Sequence, residues 1–268
     1  MIQRRITFYC CSKGLPSYQL HQLKRLADYF RSSVTLLNLR QLRKADIRQP
    51  LRMLSLASKP GELCQLVIQG NDAELAHMVL TEFIAEFAKP VIQRRIKNAS
   101  SSGLLANIQS PLPFDFSFSV HSISTVDAAT PKPKVIASLV DRLNQQKVST
   151  GTKKQLVECF MAREKVSATV MGQQIALPHI MHESITVPGM AVLSSNAGIE
   201  WGSNRGPVIR MIAMVLPKPP QRPVVMAFAH FSQCLLNDDF CEALTTAKTP
   251  AVIHAIILNA LSSVESLS

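Results

Sequence analysis

The sequence predicts two α/β (α+β) domains in tandem, and three observations carry the prediction. Over the first ninety or so residues, strand-length apolar runs alternate with amphipathic helical stretches. Residues 97–133 then turn rich in Ser and Pro without a sustained period, which marks a linker. From residue 134 the regular pattern resumes, with helices around two strongly apolar runs. At 268 residues the chain is long for one ordinary domain and comfortable for two. The expected division is 1–96, linker 97–133 and 134–268.

Residues 4–11 read as a strand. Leu20, Leu23, Leu26, Ala27 and Phe30 recur at helical spacing and predict a helix over 17–30. Ser33–Asn38 reads as a second strand, a basic stretch follows, and a short helix is expected near Leu51–Leu56. Pro60-Gly61 signals a turn before a strand over 63–69. Gly70-Asn71-Asp72 then opens a helix over 73–87, with Leu75, Met78, Val79, Phe83 and Phe87 on its apolar face and Pro90 behind it. Such alternation suggests a small open-faced sandwich. In the linker, Phe114, Phe116 and Phe118 alternate with polar residues and allow a short docked strand. The second half predicts helices over 135–146, 152–163, 224–236 and 250–261, and buried strands over 191–193 and 208–216.

The net charge is +11, of which residues 1–130 carry +7. The basic residues are scattered and few aromatics interleave with them, so nucleic acid is not the expected partner. An acidic protein surface or an anionic phosphoryl group suits the charge better. None of the six cysteines forms a C-x-x-C pair, which reads as free thiols in a reducing cytosol. The first residues lack a signal peptide's apolar core, and no segment approaches a membrane span. The expectation is a cytoplasmic protein without membrane insertion.

The chemistry concentrates in the run from Arg163 to His179, spaced R-E-x4-T-x2-G-x3-A-x-P-H. It places one imidazole directly after a proline, with an Arg-Glu pair and a threonine upstream. Phosphoryl relay through histidine needs a neutral ring nitrogen as nucleophile, and histidine's ordinary pKa of about 6.5 makes that form common near pH 7. Relay also needs pre-placed donors around the phosphoryl oxygens. Arg163 could supply a planar cationic fork and Thr169 or Ser167 a hydroxyl, while Pro178 restricts the backbone beside the nucleophile.

This run resembles the active-site segment of the mannitol/fructose-type enzyme IIA proteins of the phosphoenolpyruvate-dependent sugar phosphotransferase system. Gly198-Ile199-Glu200-Trp201-Gly202 resembles the family's G-(I/V)-x-W segment, and the order of elements over 134–261 fits as well. The resemblance implies a mixed-sheet α/β sandwich with flanking helices. It also implies that His179 accepts a phosphoryl group from phospho-HPr at Nε2 and passes it to a cysteine of an enzyme IIB domain. Arg163 would be the active-site arginine, and no cofactor is called for. Two departures stand out. Ile180 follows the histidine where family members usually carry a small residue. Val224 stands where sugar-transporting members often carry a second histidine, with His230 six residues on and turned about 240° around the helix. The nitrogen-type regulatory branch is similar in lacking that second histidine, so a role in binding regulatory protein targets according to phosphorylation is the alternative. His182, His230 and His254 are weaker candidates, read as exposed, helix-surface or core residues.

Residues 1–90 resemble HPr, the system's histidine phosphocarrier. HPr carries its histidine in a G-L-H-(A/T)-R-P segment; here the segment reads Gly14-Leu15-Pro16-Ser17-Tyr18-Gln19, with Pro16 at the histidine's place and Tyr18 at the arginine's. Pro50 stands near the place of HPr's regulatory serine, and His21 lies within the helix as a weak candidate for a displaced nucleophile. Proline offers neither a nucleophile nor a backbone donor, so the front domain is expected to be HPr-like without carrying phosphate.

Overall fold

The computed structural model describes residues 1–91 and 112–263. They form two compact units, one of residues 1–91 with 255–263 and one of residues 112–254.

The first unit is an open-faced sandwich. Its antiparallel sheet has the order β3-β2-β4-β1-β5, formed by β1 (Ile2–Cys10), β2 (Ser33–Asn38), β3 (Arg43–Asp46), β4 (Leu63–Gly70) and β5 (Ala88–Pro90). Helices α1 (Ser17–Ala27), α2 (Pro50–Ser55) and α3 (Ala73–Phe87) cover one face. The alternation of strand side chains sends Ile6, Phe8 and Cys10 of β1, with Cys64, Leu66 and Ile68 of β4, into one core with Leu20, Leu23, Leu80 and Ile84 of the helices. The loop before α1 depends on Gly14. Its φ is +65°, and a Cβ there would lie 2.3 Å from the carbonyl oxygen of Ser58. Asp72 begins α3 without capping it. Its carboxylate accepts instead from the backbone N–H groups of Arg31 and Ser32 and from the Ser32 hydroxyl, tying the start of α3 to the start of β2.

The second unit is built on a mixed sheet. Its order is β6-β10-β11-β8-β7, with β9 also on β11. The strands are β6 (Ile123–Thr125), β7 (Val170–Gly172), β8 (Ile175–Ala176), β9 (His179–His182), β10 (Gly189–Ile199) and β11 (Val208–Pro217). Strands β10 and β11 pair antiparallel, and β8 and β9 run parallel to β11 one after the other. Helices α4 (Lys132–Gln145), α5 (Lys153–Val166), α6 (Arg222–Cys234), α7 (Asp238–Thr246) and α8 (Pro250–Leu261) complete the chain. Because β10 and β11 are central, β11 is buried almost throughout and β10 is buried over its apolar first half, emerging at 196–198.

Three differences from the sequence reading have physical causes. The stretch 112–131, expected as linker, belongs to the second unit. Ser117 bridges to Gly189, β6 joins the edge of β10, Phe116 packs edge-on against Phe228, and Phe118 stacks on His254. Only the 97–111 part of the expected linker lies outside the described residues. Residues 255–263, expected with the second domain, cluster with the first. There Arg40 donates to the carbonyl oxygens of Asn259 and Ser262 and to the Ser262 hydroxyl. The helix over 17–30 stops at Ala27, and Asp28 caps its end.

Candidate functional site

The site is assembled where one strand is broken in two. Strands β8 and β9 follow each other along one edge of β11, in register at Arg210↔Ile175 and Met214↔His179. Between them lie Leu177 and Pro178. Pro178 has no N–H to give, and the N–H of Leu177 turns away to the carbonyl oxygen of Thr169 at 2.8 Å. The carbonyl of Pro178 accepts from Met214, so pairing resumes and β9 opens on His179. The preceding hairpin turns on Gln173 and Gln174, both with positive φ, the geometry of a two-residue turn that matches strand twist.

His179 is half-buried, and its Nδ1 lies 2.9 Å from the carbonyl oxygen of Leu177. A carbonyl can only accept, so Nδ1 carries the proton and the lone pair of the neutral ring is on Nε2. His182, three residues on, is held the opposite way. The backbone N–H of Ser184 donates to its Nδ1 at 3.1 Å, and the Ser184 hydroxyl is 2.9 Å from the same atom. The Nδ1 lone pair of His182 is thus occupied, and strand alternation puts its ring on the opposite side of β9 from His179. Geometry therefore separates two histidines that composition could not.

Arg163 sits in the last turn of α5, which packs beside β9. Its Nη1 donates to the carbonyl oxygen of Ser167 at 3.2 Å, just past the helix end. Thr169 is placed differently from its sequence reading. It is buried, and its hydroxyl and backbone N–H both donate to Glu164. A hydroxyl committed to a buried carboxylate is not a free donor for a phosphoryl oxygen, and the link from Thr169 toward His179 is its backbone carbonyl, which accepts the Leu177 N–H.

Glu164, Lys132 and Trp201 form the part of the site that sequence reasoning passed over. The Glu164 side chain is only 2 % exposed and accepts from Lys132 Nζ at 2.8 Å and Trp201 Nε1 at 3.0 Å. Lys132 also donates to the Trp201 carbonyl at 2.9 Å, and its ammonium lies 5.0 Å from the indole centroid. A carboxylate so buried persists only when paired and hydrogen-bonded, which this one is on every side. The signal was present in the sequence, since Glu164 follows Arg163 and Trp201 stands in the G-I-E-W-G turn, but neither adjacency discloses burial.

Of the remaining candidates, Val224 is buried and lines a cavity of about 550 Å³ with Phe114, Asp115, Thr186, Pro188 and Pro217. His230 Nε2 is 3.6 Å from the Cys234 thiol one turn along α6. His254 is half-buried and donates from Nε2 to the Phe118 carbonyl at 3.1 Å; its pKa is lowered chiefly by desolvation, and that hydrogen bond opposes the shift. In the first unit, Pro16 precedes α1 without a side-chain cap, and exposed His21 donates from Nδ1 to the Ser17 carbonyl at 2.8 Å.

Comparison with known proteins agrees with this architecture. Residues 117–260 match the family described as phosphoenolpyruvate-dependent sugar phosphotransferase system, EIIA 2, and residues 11–86 match the PTS HPr component phosphorylation site family. Multiphosphoryl transfer protein 1 of Escherichia coli (strain K12) is 34% identical over 80 residues, 30% of this chain. The match spans 10% of that protein's length. Among solved structures, nitrogen regulatory protein IIA-Ntr from Neisseria meningitidis aligns with a TM-score of 0.47 at 19% identity, covering 52% of this chain and 94% of that one. IIA mannitol from Escherichia coli aligns with a TM-score of 0.44 at 16% identity, covering 53% of this chain and 99% of that one. Domains of both matched kinds are phosphotransferase components. With more than half of its residues matched, the chain belongs to the EIIA 2 family of the phosphoenolpyruvate-dependent sugar phosphotransferase system, carrying an HPr domain in front of its EIIA domain.

Proposed function

We propose that the protein is a phosphocarrier in which His179 Nε2 takes a phosphoryl group from the phosphohistidine of a separate HPr and hands it to a cysteine thiolate of a fructose/mannitol-class enzyme IIB domain. In the first step the donor P–N bond breaks as the bond from phosphorus to Nε2 forms. In the second, the P–Nε2 bond breaks toward the incoming sulfur. The observation that carries this reading is the Leu177 carbonyl, which accepts a hydrogen bond from Nδ1–H and leaves the Nε2 lone pair as the nucleophile. Arg163, in the helix beside β9, supplies the cation for the phosphoryl oxygens. The relay needs no resident cofactor, and His179 passes the group between protein partners.

The front domain is read as HPr-like without a nucleophile of its own, because Pro16 stands where HPr's histidine would be. A second reading has one specific support. Val224 is buried and apolar where sugar-transporting relatives often carry a second histidine, which suits a regulatory protein that binds targets according to the phosphorylation of His179.

The test is incubation of the full chain with phosphoenolpyruvate, enzyme I and authentic HPr, read by intact mass. An acid-labile adduct is expected on wild type, absent from His179→Ala and absent without HPr. An unmodified wild-type chain, under conditions that label a known enzyme IIA, would rule out the carrier reading.

A further inference from the structure

Four separate parts of the second unit converge on one carboxylate. Glu164 ends α5, Lys132 begins α4, Trp201 follows β10, and Thr169 precedes β7. All three partners donate to Glu164. From this hub a continuous path runs to the nucleophile. The Thr169 carbonyl accepts the Leu177 N–H at 2.8 Å, and the Leu177 carbonyl receives His179 Nδ1 at 2.9 Å. A shorter path runs to Arg163, which is the residue before Glu164 and is tied through Nη1 to Ser167, inside the segment the hub clamps.

We propose that Glu164, held by Lys132, Trp201 and Thr169, is the positioning residue of the phosphoryl site. It orients the Leu177 carbonyl that selects the Nδ1–H form of His179, and it fixes the end of α5 from which Arg163 reaches out. The proposal rests on the carrier reading of His179 but concerns residues that never touch the phosphoryl group. Neither side chain of the ring's own neighbours can replace the hub. Pro178 has no N–H to hold the break between β8 and β9, and Ile180 is buried on the other side of the strand. With the Thr169 clamp loosened, the Leu177 N–H loses its fixed acceptor while the Pro178 carbonyl stays on Met214, so the Leu177 carbonyl can shift, and a carbonyl that turns no longer selects a ring form.

The test uses full-length protein labelled with ¹⁵N, and three variants: Glu164→Gln, Thr169→Val and Thr169→Ser. Long-range ¹H–¹⁵N spectra report which ring nitrogen of His179 carries the proton, with no phosphotransfer partner present. Wild type is expected to show the proton on Nδ1. Glu164→Gln and Thr169→Val are expected to show exchange between the two forms, together with a fall of about 100-fold in the rate of phosphorylation by phospho-HPr, the scale of a small misplacement at a reacting centre. Thr169→Ser, which keeps the hydroxyl, is expected to restore both readouts. Glu164→Gln puts an amide N–H₂ against two buried donors and risks unfolding, so the Val and Ser pair, with circular dichroism to show both folded, carries the decision. If Thr169→Val keeps the Nδ1 proton and a rate within twofold of wild type, the proposal is wrong. A wild-type chain that shows the Nδ1 form but takes up no phosphate would instead remove the carrier reading and leave the ring selection by the hub standing.

Discussion

At the scale of single residues, the protein uses hydrogen bonds to give chemically identical groups different properties. His179 and His182 are three positions apart, yet a carbonyl fixes one with its proton on Nδ1 and a backbone N–H fixes the other with its lone pair occupied there. His254 differs again. Burial holds its pKa below the ordinary value, so the unfolded chain takes up this proton first as pH falls through about 6.5. Stability is therefore expected to fall from there downward, until the folded form also protonates. The contribution to the slope is at most about 1.4 kcal/mol per pH unit, and His254→Gln should flatten the acid limb of denaturant stability measured against pH. Arg210 is a buried cation that pairs with no carboxylate among the described residues. It donates to the carbonyl oxygens of Leu244, Thr245 and Ala247 at the end of α7 and to the Ser194 hydroxyl, and burial lowers its pKa to about 10. The end of α7 thus receives donors and positive charge where a helix needs both. Arg210→Met should cost roughly 3 kcal/mol in urea unfolding, because one buried and two part-buried carbonyls lose this donor.

At the scale of elements, long apolar or strongly amphipathic segments stand where the sequence puts them, and short polar strands do not announce themselves. The strand β3, Arg43-Lys44-Ala45-Asp46, has one buried residue in four and exists because β2 offers it an edge. Strands β7, β8 and β9 have two to four residues each; β8 and β9 are strands only because β11 lies beside them, and β7 only because β8 does. Helix α7 follows directly on α6 and is started by Asn237, whose side chain accepts from Phe240; its pattern merges with its neighbour's in the sequence. Two element-level outcomes follow from cap and turn geometry. Thr152 caps α5 by accepting from the Gln155 N–H, and Thr152→Ala should lower thermal stability by about 1 kcal/mol. Gln174 holds φ of 65° in the β7–β8 turn, a conformation that costs side-chain-bearing residues 1 kcal/mol or more, so Gln174→Gly should raise stability by about 0.5–1 kcal/mol in the same assay.

At the scale of the whole molecule, an HPr domain and an EIIA domain share one chain, and in the proposed relay His179 alone carries phosphate. The expected stoichiometry is therefore a single acid-labile phosphoryl group per chain, counted by intact mass after exhaustive labelling with enzyme I and HPr. A second group, or one that persists in His179→Ala, would show that the front domain still carries phosphate. Among the described residues no helix is long and apolar enough to cross a membrane. The exposed Tyr18, Leu51 and Leu54 of the first unit stand on α1 and α2, which contain basic residues and no acidic ones.

The sequence by itself determined the order of the long strands and helices, the resemblance to the family, and the presence of Arg163 and His179 in one motif. The elements follow from periodicity, a property of neighbours along the chain, and the family from the likeness of the Arg163–His179 run to a known motif, which the match over residues 117–260 bears out. Only the tertiary structure decided the rest. It placed the Thr169 hydroxyl against Glu164, gathered Lys132 and Trp201 around the same carboxylate, joined residues 112–131 to the second unit, and clustered residues 255–263 with the first. Each of these depends on which groups are removed from water together. A carboxylate 37 positions from its indole partner and a strand that exists only beside its neighbour are set by burial and by hydrogen bonds across the fold, and local sequence carries neither.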